Sequence, residues 1–92
     1  MVRAFVLYDE EPDAERYAEH AELCRKVPGA TFRHGRVFGA PMGEAPHAYF
    51  AEFEWPDMAA FKVAARSDEF AATAKDAMAM GKKFAVEFVE LT

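Results

Sequence analysis

The order of short apolar runs and helical segments constrains the fold of this 92-residue chain more than any other feature. Runs rich in aromatic and β-branched residues predict four strands. Their expected bounds are Val2–Tyr8, Thr31–Gly39, His47–Glu54 and Phe84–Leu91. The second and third runs are joined by a connection rich in glycine and proline, which predicts an antiparallel hairpin with a long loop.

Two helical regions separate these strands. The first is expected from Pro12 to about Val27, because proline suits the first turn of a helix and Pro28-Gly29 stops one. The second opens at Pro56-Asp57, and Ser67 is predicted to cap a new helix, so that two helices meet at an angle. The order β-α-β-β-α-β predicts the ferredoxin-like α+β fold, with one four-stranded antiparallel sheet in a single domain spanning residues 1–92.

Large apolar residues are expected on both faces of this sheet. In the second strand Phe32 and Phe38 alternate with Val37, and in the third strand Phe53 alternates with Phe50. Two helical regions cover only one face, so the other would expose an apolar patch to water. We therefore expect a homodimer in which two sheets pack face to face. The alternation alone does not tell which face meets the helices.

The composition disfavours several partners and locations. A net charge of −5 argues against binding to nucleic acid or to an anionic membrane surface. No apolar run approaches the ~20 residues that span a bilayer, and the short apolar N-terminal stretch has no signal-peptide cleavage site. The single cysteine, Cys24, cannot form an internal disulfide, which favours a cytoplasmic protein.

His20 is the leading candidate for a catalytic residue. It falls within the helical arc that holds Ala21 and Cys24, so it is expected to face the interior or a cleft. A histidine titrates near neutral pH and suits acid–base catalysis on a phenol, an enol or the α-proton of a lactone. Tyr17, three residues earlier, is the expected assisting residue. The alternative is a structural histidine that hydrogen-bonds to a strand and fills space.

Five further residues are candidates for lining a ligand pocket: Tyr8, Phe32, His34, Arg36 and Trp55. If the face with His34 and Arg36 meets the helices, these side chains would orient an anionic or carbonyl-bearing ligand. If it meets a partner sheet, they would make polar interface contacts instead. Trp55 would either stack on a ligand or cover the edge of the core.

A metal site is not expected, because the three histidines lack the close spacing of metal ligands. No organic cofactor is predicted, although one histidine suffices as an axial ligand of haem, so haem stays an open alternative. Cys24 is interpreted as a small buried hydrophobe rather than a nucleophile. The segment from Gly39 to Gly43 lacks a phosphate-binding pattern.

Several segments form a recognisable pattern when their order and spacing are taken together. They are Val6-Leu7-Tyr8, Tyr17 with His20, Lys26-Val27-Pro28-Gly29, Gly39-Ala40-Pro41-Met42-Gly43, Ala51-Glu52-Phe53, Phe61 with Ser67-Asp68-Glu69-Phe70, and Phe84 to Leu91. Over essentially the whole chain this pattern resembles the EthD family of small dimeric α+β-barrel proteins. The resemblance implies a ferredoxin-like protomer, a dimer whose two sheets form a barrel, and a cleft between each sheet and its helices.

The resemblance does not define a reaction, because the wider superfamily includes cofactor-independent monooxygenases, muconolactone isomerases and haem-binding dismutases. Two hypotheses follow. In the first, the protein binds a small hydrophobic, aromatic or carbonyl-containing metabolite, and His20 with Tyr17 moves a proton during its oxidation or isomerisation. In the second, it is a non-catalytic binding or accessory protein of a degradation pathway.

Overall fold

The computed structural model describes all residues, 1–92, as four strands and three helices. The strands are β1 (Val2–Tyr8), β2 (Thr31–Arg36), β3 (Tyr49–Trp55) and β4 (Phe84–Glu90). The helices are α1 (Ala14–Cys24), α2 (Met58–Ala65) and α3 (Asp68–Ala79). The strands form one antiparallel sheet in the order β2-β3-β1-β4. This is the predicted ferredoxin-like α+β fold.

The hairpin of β2 and β3 differs from the prediction on the loop side. Strand β2 ends at Arg36 instead of Gly39, and β3 starts at Tyr49 instead of His47. The glycine- and proline-rich connection stops the ladder early, because neither residue type sustains a strand. Phe38, which the alternation placed on a sheet face, therefore lies in the loop and is 94% exposed. The remaining strand ends agree with the prediction to within one residue.

Helix α1 is shorter at both ends than predicted. Asp13 precedes its first turn and accepts a hydrogen bond from the backbone N–H of Arg16 at 3.0 Å, so the helix starts after this cap instead of at Pro12. At the other end the helix stops at Cys24 instead of Val27. There the backbone tightens, with the N–H of Val27 donating to the carbonyl of Cys24 at 3.2 Å.

The predicted division of the second helical region at Ser67 is confirmed. The hydroxyl oxygen of Ser67 accepts a hydrogen bond from the N–H of Phe70 at 3.1 Å, and the same hydroxyl donates to the carbonyl of Ala64 at 2.6 Å. Ser67 therefore ends α2 and caps α3, which lets α3 take its own direction and pack against α1. None of the three helices has the length and apolar character needed to cross a membrane.

The register of the sheet decides which face meets the helices. Phe32 pairs with Phe53 and His34 with Ala51, so these four side chains share one face. Ala51 and Phe53 are buried in the core beneath the helices, and Trp55 at the end of β3 is fully buried there as well. The predicted pocket residues of β2 therefore lie on the helix side of the sheet.

The opposite face has an apolar centre edged by charged pairs. The rings of Phe5 and Phe50 lie 5.8 Å apart, Leu7 pairs with Phe50 in the register, and all three side chains are half-buried. Beside them Arg33 donates to Glu52 at 2.7 Å, and Glu52 is only 7% exposed. The sheet thus carries large apolar residues on both faces, as the sequence predicted.

Candidate functional site

A cavity of about 260 Å³ lies between the sheet and helices α1 and α3, and 15 of its 17 lining residues are hydrophobic. Alternate residues of β1 and β4 line one side of it, namely Ala4, Val6, Tyr8, Phe84, Val86 and Phe88. Helix α1 contributes Tyr17, His20 and Cys24, which share one face of the helix. Pockets for drug-sized ligands measure roughly 300–1,000 Å³, so this cavity suits a compact molecule better than a macrocycle such as haem.

His20 contributes the most polar group of this lining. Its side chain is buried, and its Nδ1 atom lies 2.8 Å from Oδ2 of Asp76. Asp76 belongs to the last turn of α3, so this contact joins two helices. An ionised carboxylate only accepts hydrogen bonds, which assigns the ring proton to Nδ1 of His20.

Arg16 of α1 holds the Asp76 carboxylate from its other side. The guanidinium donates to Oδ1 at 2.7 Å and to Oδ2 at 3.1 Å, in the bidentate arrangement that suits arginine and carboxylate. These hydrogen bonds from Arg16 lower the pKa of Asp76; its partial burial opposes this shift, and the hydrogen bond from His20 supports it. Asp76 is therefore ionised at neutral pH, with its negative charge against His20.

Sequence reasoning missed both Asp76 and Arg16 as site residues. The two are 60 positions apart, and their pairing depends on how α1 and α3 cross. One signal was present in the sequence. Asp76 lies in the last turn of its helix, where a negative charge opposes the helix dipole, and it follows the buried Thr73 by three residues on the inner side. An acid in that position needs a cationic partner.

The second ring nitrogen, Nε2, is the polar atom of His20 that is left for a ligand, since Nδ1 is engaged by Asp76 and the residue lines the cavity. Nε2 has no hydrogen-bond partner in the protein. Every fully buried side-chain nitrogen or oxygen of this protein does have a partner, so Nε2 is not fully buried. Nε2 therefore keeps accessible surface, and the cavity is the open space that this ring lines. In the neutral form of His20 the ring proton is then on Nδ1, and Nε2 is the nitrogen that can accept a proton from a ligand.

Two buried tyrosines complete this end of the cavity. The hydroxyl of Tyr8 donates to that of Tyr17 at 3.3 Å, and their rings meet edge to face at 5.7 Å. The ring of Tyr17 lies 5.2 Å from that of His20. Burial raises the pKa of both hydroxyls, most strongly that of Tyr17. Both therefore keep their protons at neutral pH and serve as hydrogen-bond donors.

His34 lies on the far side of Tyr17, outside this cavity. Its ring is 5.1 Å from that of Tyr17, and its Nδ1 atom is 2.6 Å from the hydroxyl of Tyr49. These residues line, with Arg25, a separate groove of about 240 Å³ along α1. Burial, helped by the positive charge of Arg25, lowers the pKa of His34, which is therefore neutral at pH 7.

The remaining predicted pocket residues divide between the cavity, the core and the surface. Tyr8 and Phe32 line the cavity. Arg36 borders a shallow depression elsewhere on β2. Trp55 is fully buried, and its indole N–H donates to the carbonyl of Pro28 at 3.1 Å. Arg36 and Trp55 thus do not line the cavity, and the Trp55 ring has no face free for a ligand because the core surrounds it.

Cys24 lies in the wall of the cavity and is 1% exposed. Burial, with the negative charge of Asp76, raises the pKa of its thiol to about 12, so Cys24 is a protonated small hydrophobe at neutral pH. No three or more histidine, cysteine, aspartate or glutamate side chains lie together as a metal ion would require.

Comparison with solved structures shows the same fold in other proteins. The chain is 33% identical to an ethyl tert-butyl ether D (EthD) family protein from Bacillus halodurans C-125, over 100% of this chain and 99% of that one, with a TM-score of 0.81. A dimeric ferredoxin-like protein of unknown function from Jannaschia sp. CCS1 is 19% identical over 98% of each chain, with a TM-score of 0.74. SnoaB, a cofactor-independent oxygenase from Streptomyces nogalater, is 19% identical over 98% of this chain and 90% of its own, with a TM-score of 0.61. No family model and no curated protein matched the sequence.

Proposed function

The chain belongs to the EthD family, and on that premise we propose that it binds a compact aromatic or enolisable metabolite between sheet and helices and removes a proton from it through His20. The observation that carries this proposal is that His20 lines an otherwise apolar cavity with its Nδ1 engaged by Asp76 and its Nε2 without a protein partner. An apolar lining favours a hydrophobic ring, and the single basic nitrogen favours a ligand with one acidic hydrogen.

The proton step follows from the hydrogen bonds of His20. Nε2 accepts a proton from a phenolic O–H or from a carbon next to a carbonyl, which leaves an imidazolium and a bound anion. The ionised Asp76 stabilises that imidazolium through Nδ1, 2.8 Å away. Since Tyr8 donates its proton to Tyr17, the hydroxyl of Tyr17 is the donor near the same end of the cavity that stabilises the negative oxygen of the anion.

The bound anion has two possible courses. If the proton returns to a different carbon, the substrate is isomerised. If the anion transfers an electron to dioxygen as co-reactant, an oxygenation begins, which is the kind of activity stated for SnoaB. Both courses begin with the same proton transfer, which is the step that the geometry of His20 supports.

A second candidate function is binding without catalysis. The observation that favours it is that Arg16, Asp76 and His20 also join α1 to α3, a structural role that requires no reaction. In that case the cavity would hold a metabolite for another enzyme, and His20 would not change the protonation state of the ligand.

We also propose that the protein acts as a homodimer formed through the open face of the sheet. The rings of Phe5 and Phe50, with Leu7 beside them, would remain partly in water in a single chain. A second copy would bury them sheet against sheet. The dimeric ferredoxin-like protein from Jannaschia, which shares this fold, supports a dimer.

Ligand binding in the cavity is tested with beta-naphthol as the probe and thermal unfolding as the readout. A ligand that binds the folded state stabilises it by about 2.7 kcal/mol at a hundred times its Kd. We expect stabilisation of the wild type and of Ala72→Trp, which changes an exposed residue on the same helix. Ala74→Trp, which places an indole at the exposed rim of the cavity lining, should weaken it. Equal stabilisation of both variants, or none of the wild type, contradicts the proposed site.

A further inference from the structure

The cavity opens on the side of β4, where its lining continues into exposed apolar surface. Three of the residues that line it are also strongly exposed: Met78 at 70%, Val86 at 45% and Phe88 at 58%. Large apolar side chains that contribute both to the inside of a cavity and to its rim form one continuous surface. The cavity therefore has an apolar exit.

This exit lies away from His20. Asp76 and Met78 are two residues apart on α3, which turns their side chains about 200° from each other around the helix axis. Since Asp76 faces His20 and α1, Met78 faces the opposite side. Strand β4 is the edge of the sheet beyond β1. A ligand with its acidic group at His20 would thus leave the cavity past Met78 and β4.

Strand β4 provides an apolar track along this exit. Phe84 begins the track beside Tyr8, with their rings 5.8 Å apart, and Phe88 ends it beside Phe61, at 5.0 Å. The four-residue interval corresponds to about 13 Å at roughly 3.3 Å per residue. Val86 lies between the two rings on the same face.

The exit offers no partner for a polar substituent. Apart from the tyrosine hydroxyls at the His20 end, the only lining residues with a polar side chain are His20 and Thr73. Thr73 already donates its hydroxyl proton to the carbonyl of Phe70 at 2.7 Å. A charged or hydrogen-bonding group placed on the track would find no hydrogen-bond partner there, whereas an alkyl group would gain apolar contacts.

We propose that the ligand is an alkyl-substituted phenol or enol, with its acidic group at His20 and its alkyl chain on the track formed by Met78, Phe84, Val86 and Phe88. This inference rests on the proposed function and adds the class of substrate to it. The alkyl chain of the ligand covers the exposed apolar side chains of the track, so that both are removed from water.

The experiment measures the Kd of phenol, para-ethylphenol, para-butylphenol and para-hexylphenol by calorimetry. We expect Kd to fall by up to about fourfold for each added methylene, the factor that corresponds to about 0.8 kcal/mol per buried CH₂. If phenol binds but Kd does not change with the length of the alkyl chain, the proposed track is wrong while the proposed function stands. If no member of the series binds, the track and the proposed function both fall.

A matched pair of variants locates the effect. Met78→Gln combined with Val86→Thr makes the track polar with little change of volume and should reduce the ratio of Kd values between phenol and para-hexylphenol. Met42→Gln changes a methionine that is 87% exposed in the hairpin loop, and it should keep the wild-type ratio. Light scattering completes the test. A smaller molecular mass for the double variant than for the wild type would identify the track as an interface between copies and overturn the proposal.

Discussion

The Nδ1 atom of His20 lies 2.8 Å from Oδ2 of Asp76, and this contact joins α1 to α3 at the wall of the cavity. The same carboxylate accepts two hydrogen bonds from Arg16, so it has both a structural and a chemical role. As a structural element it connects the two helices that cover the sheet. In its chemical role the carboxylate accepts the hydrogen bond from Nδ1 and leaves Nε2 of His20 free for a ligand.

Asp76→Asn should lower the free energy of unfolding at neutral pH by about 1.5–3 kcal/mol, the range for hydrogen bonds to charged groups. The pKa of Asp76 is lowered in the folded state, so its contribution is fully present above the unfolded value of about 3.9 and is lost as the pH falls through the folded value. The difference between wild type and Asp76→Asn should therefore shrink in acid. Urea titrations read by the fluorescence of Trp55, the one tryptophan, measure it.

The control for this prediction is Glu44→Gln, which removes one carboxylate charge from an exposed position in the hairpin loop. It should change the free energy of unfolding by less than about 0.5 kcal/mol at any pH. A difference for Asp76→Asn that stays constant from neutral to acidic pH would contradict the ionised, arginine-bound state of Asp76.

The hydroxyl pair of Tyr8 and Tyr17 should behave as a coupled unit. Tyr8→Phe or Tyr17→Phe alone leaves a buried hydroxyl without its partner, at a cost of about 1–3 kcal/mol. Both rings are almost completely buried. The double variant should be less destabilised than the sum of the single variants, as a double-mutant cycle in urea measures. Additive effects would show that the 3.3 Å contact contributes nothing.

Cys24 should resist alkylation while the protein is folded. Its thiol is buried and its pKa is raised to about 12, so very little thiolate is present at pH 8. We expect iodoacetamide to modify the folded protein more than about a hundredfold more slowly than the urea-unfolded protein, because only the thiolate reacts. Mass spectrometry follows the reaction. Similar rates in both states would mean that Cys24 is accessible and ionised.

Phe50→Lys should convert the proposed homodimer into a monomer, because it places a charge at the centre of the open sheet face. Light scattering on the wild type should give twice the 10.3 kDa mass of one chain. Phe38→Lys introduces the same charge at a fully exposed loop position and should remain dimeric. A monomeric wild type, or a Phe50→Lys variant that stays dimeric, would exclude this interface.

Local signals predicted most of the fold. Apolar runs, caps and breakers gave the order of the elements, and Ser67 was identified as the start of α3 because its capping role depends on neighbours within three residues. Phe38 was misplaced for a related reason. Alternation continues in the sequence up to Gly39, whereas the ladder ends where the loop residues no longer pair.

The candidate site was predictable only in part, because its polar contacts join distant segments. The helical arc of α1 indicated that Tyr17 and His20 face inward, and the structure places both at the cavity. The partner of His20 could not be found in the same way, since Asp76 is 56 positions away on another helix. For Trp55 the sequence suggested a ligand contact that the tertiary packing does not allow. Its type and position allowed a ligand contact, but the packing of α2 and α3 encloses it completely.

Para-nitrophenol tests directly whether His20 accepts a proton from a ligand in the cavity, because its anion is yellow and its neutral form is not. The measurement is the absorbance of the bound phenol at a pH where most of the free phenol is protonated. We expect the wild type and His47→Gln to bind it as the yellow anion. His20→Gln should bind it in the colourless form. Binding of the colourless form by the wild type, or an equally yellow complex in His20→Gln, would show that His20 is not the proton acceptor.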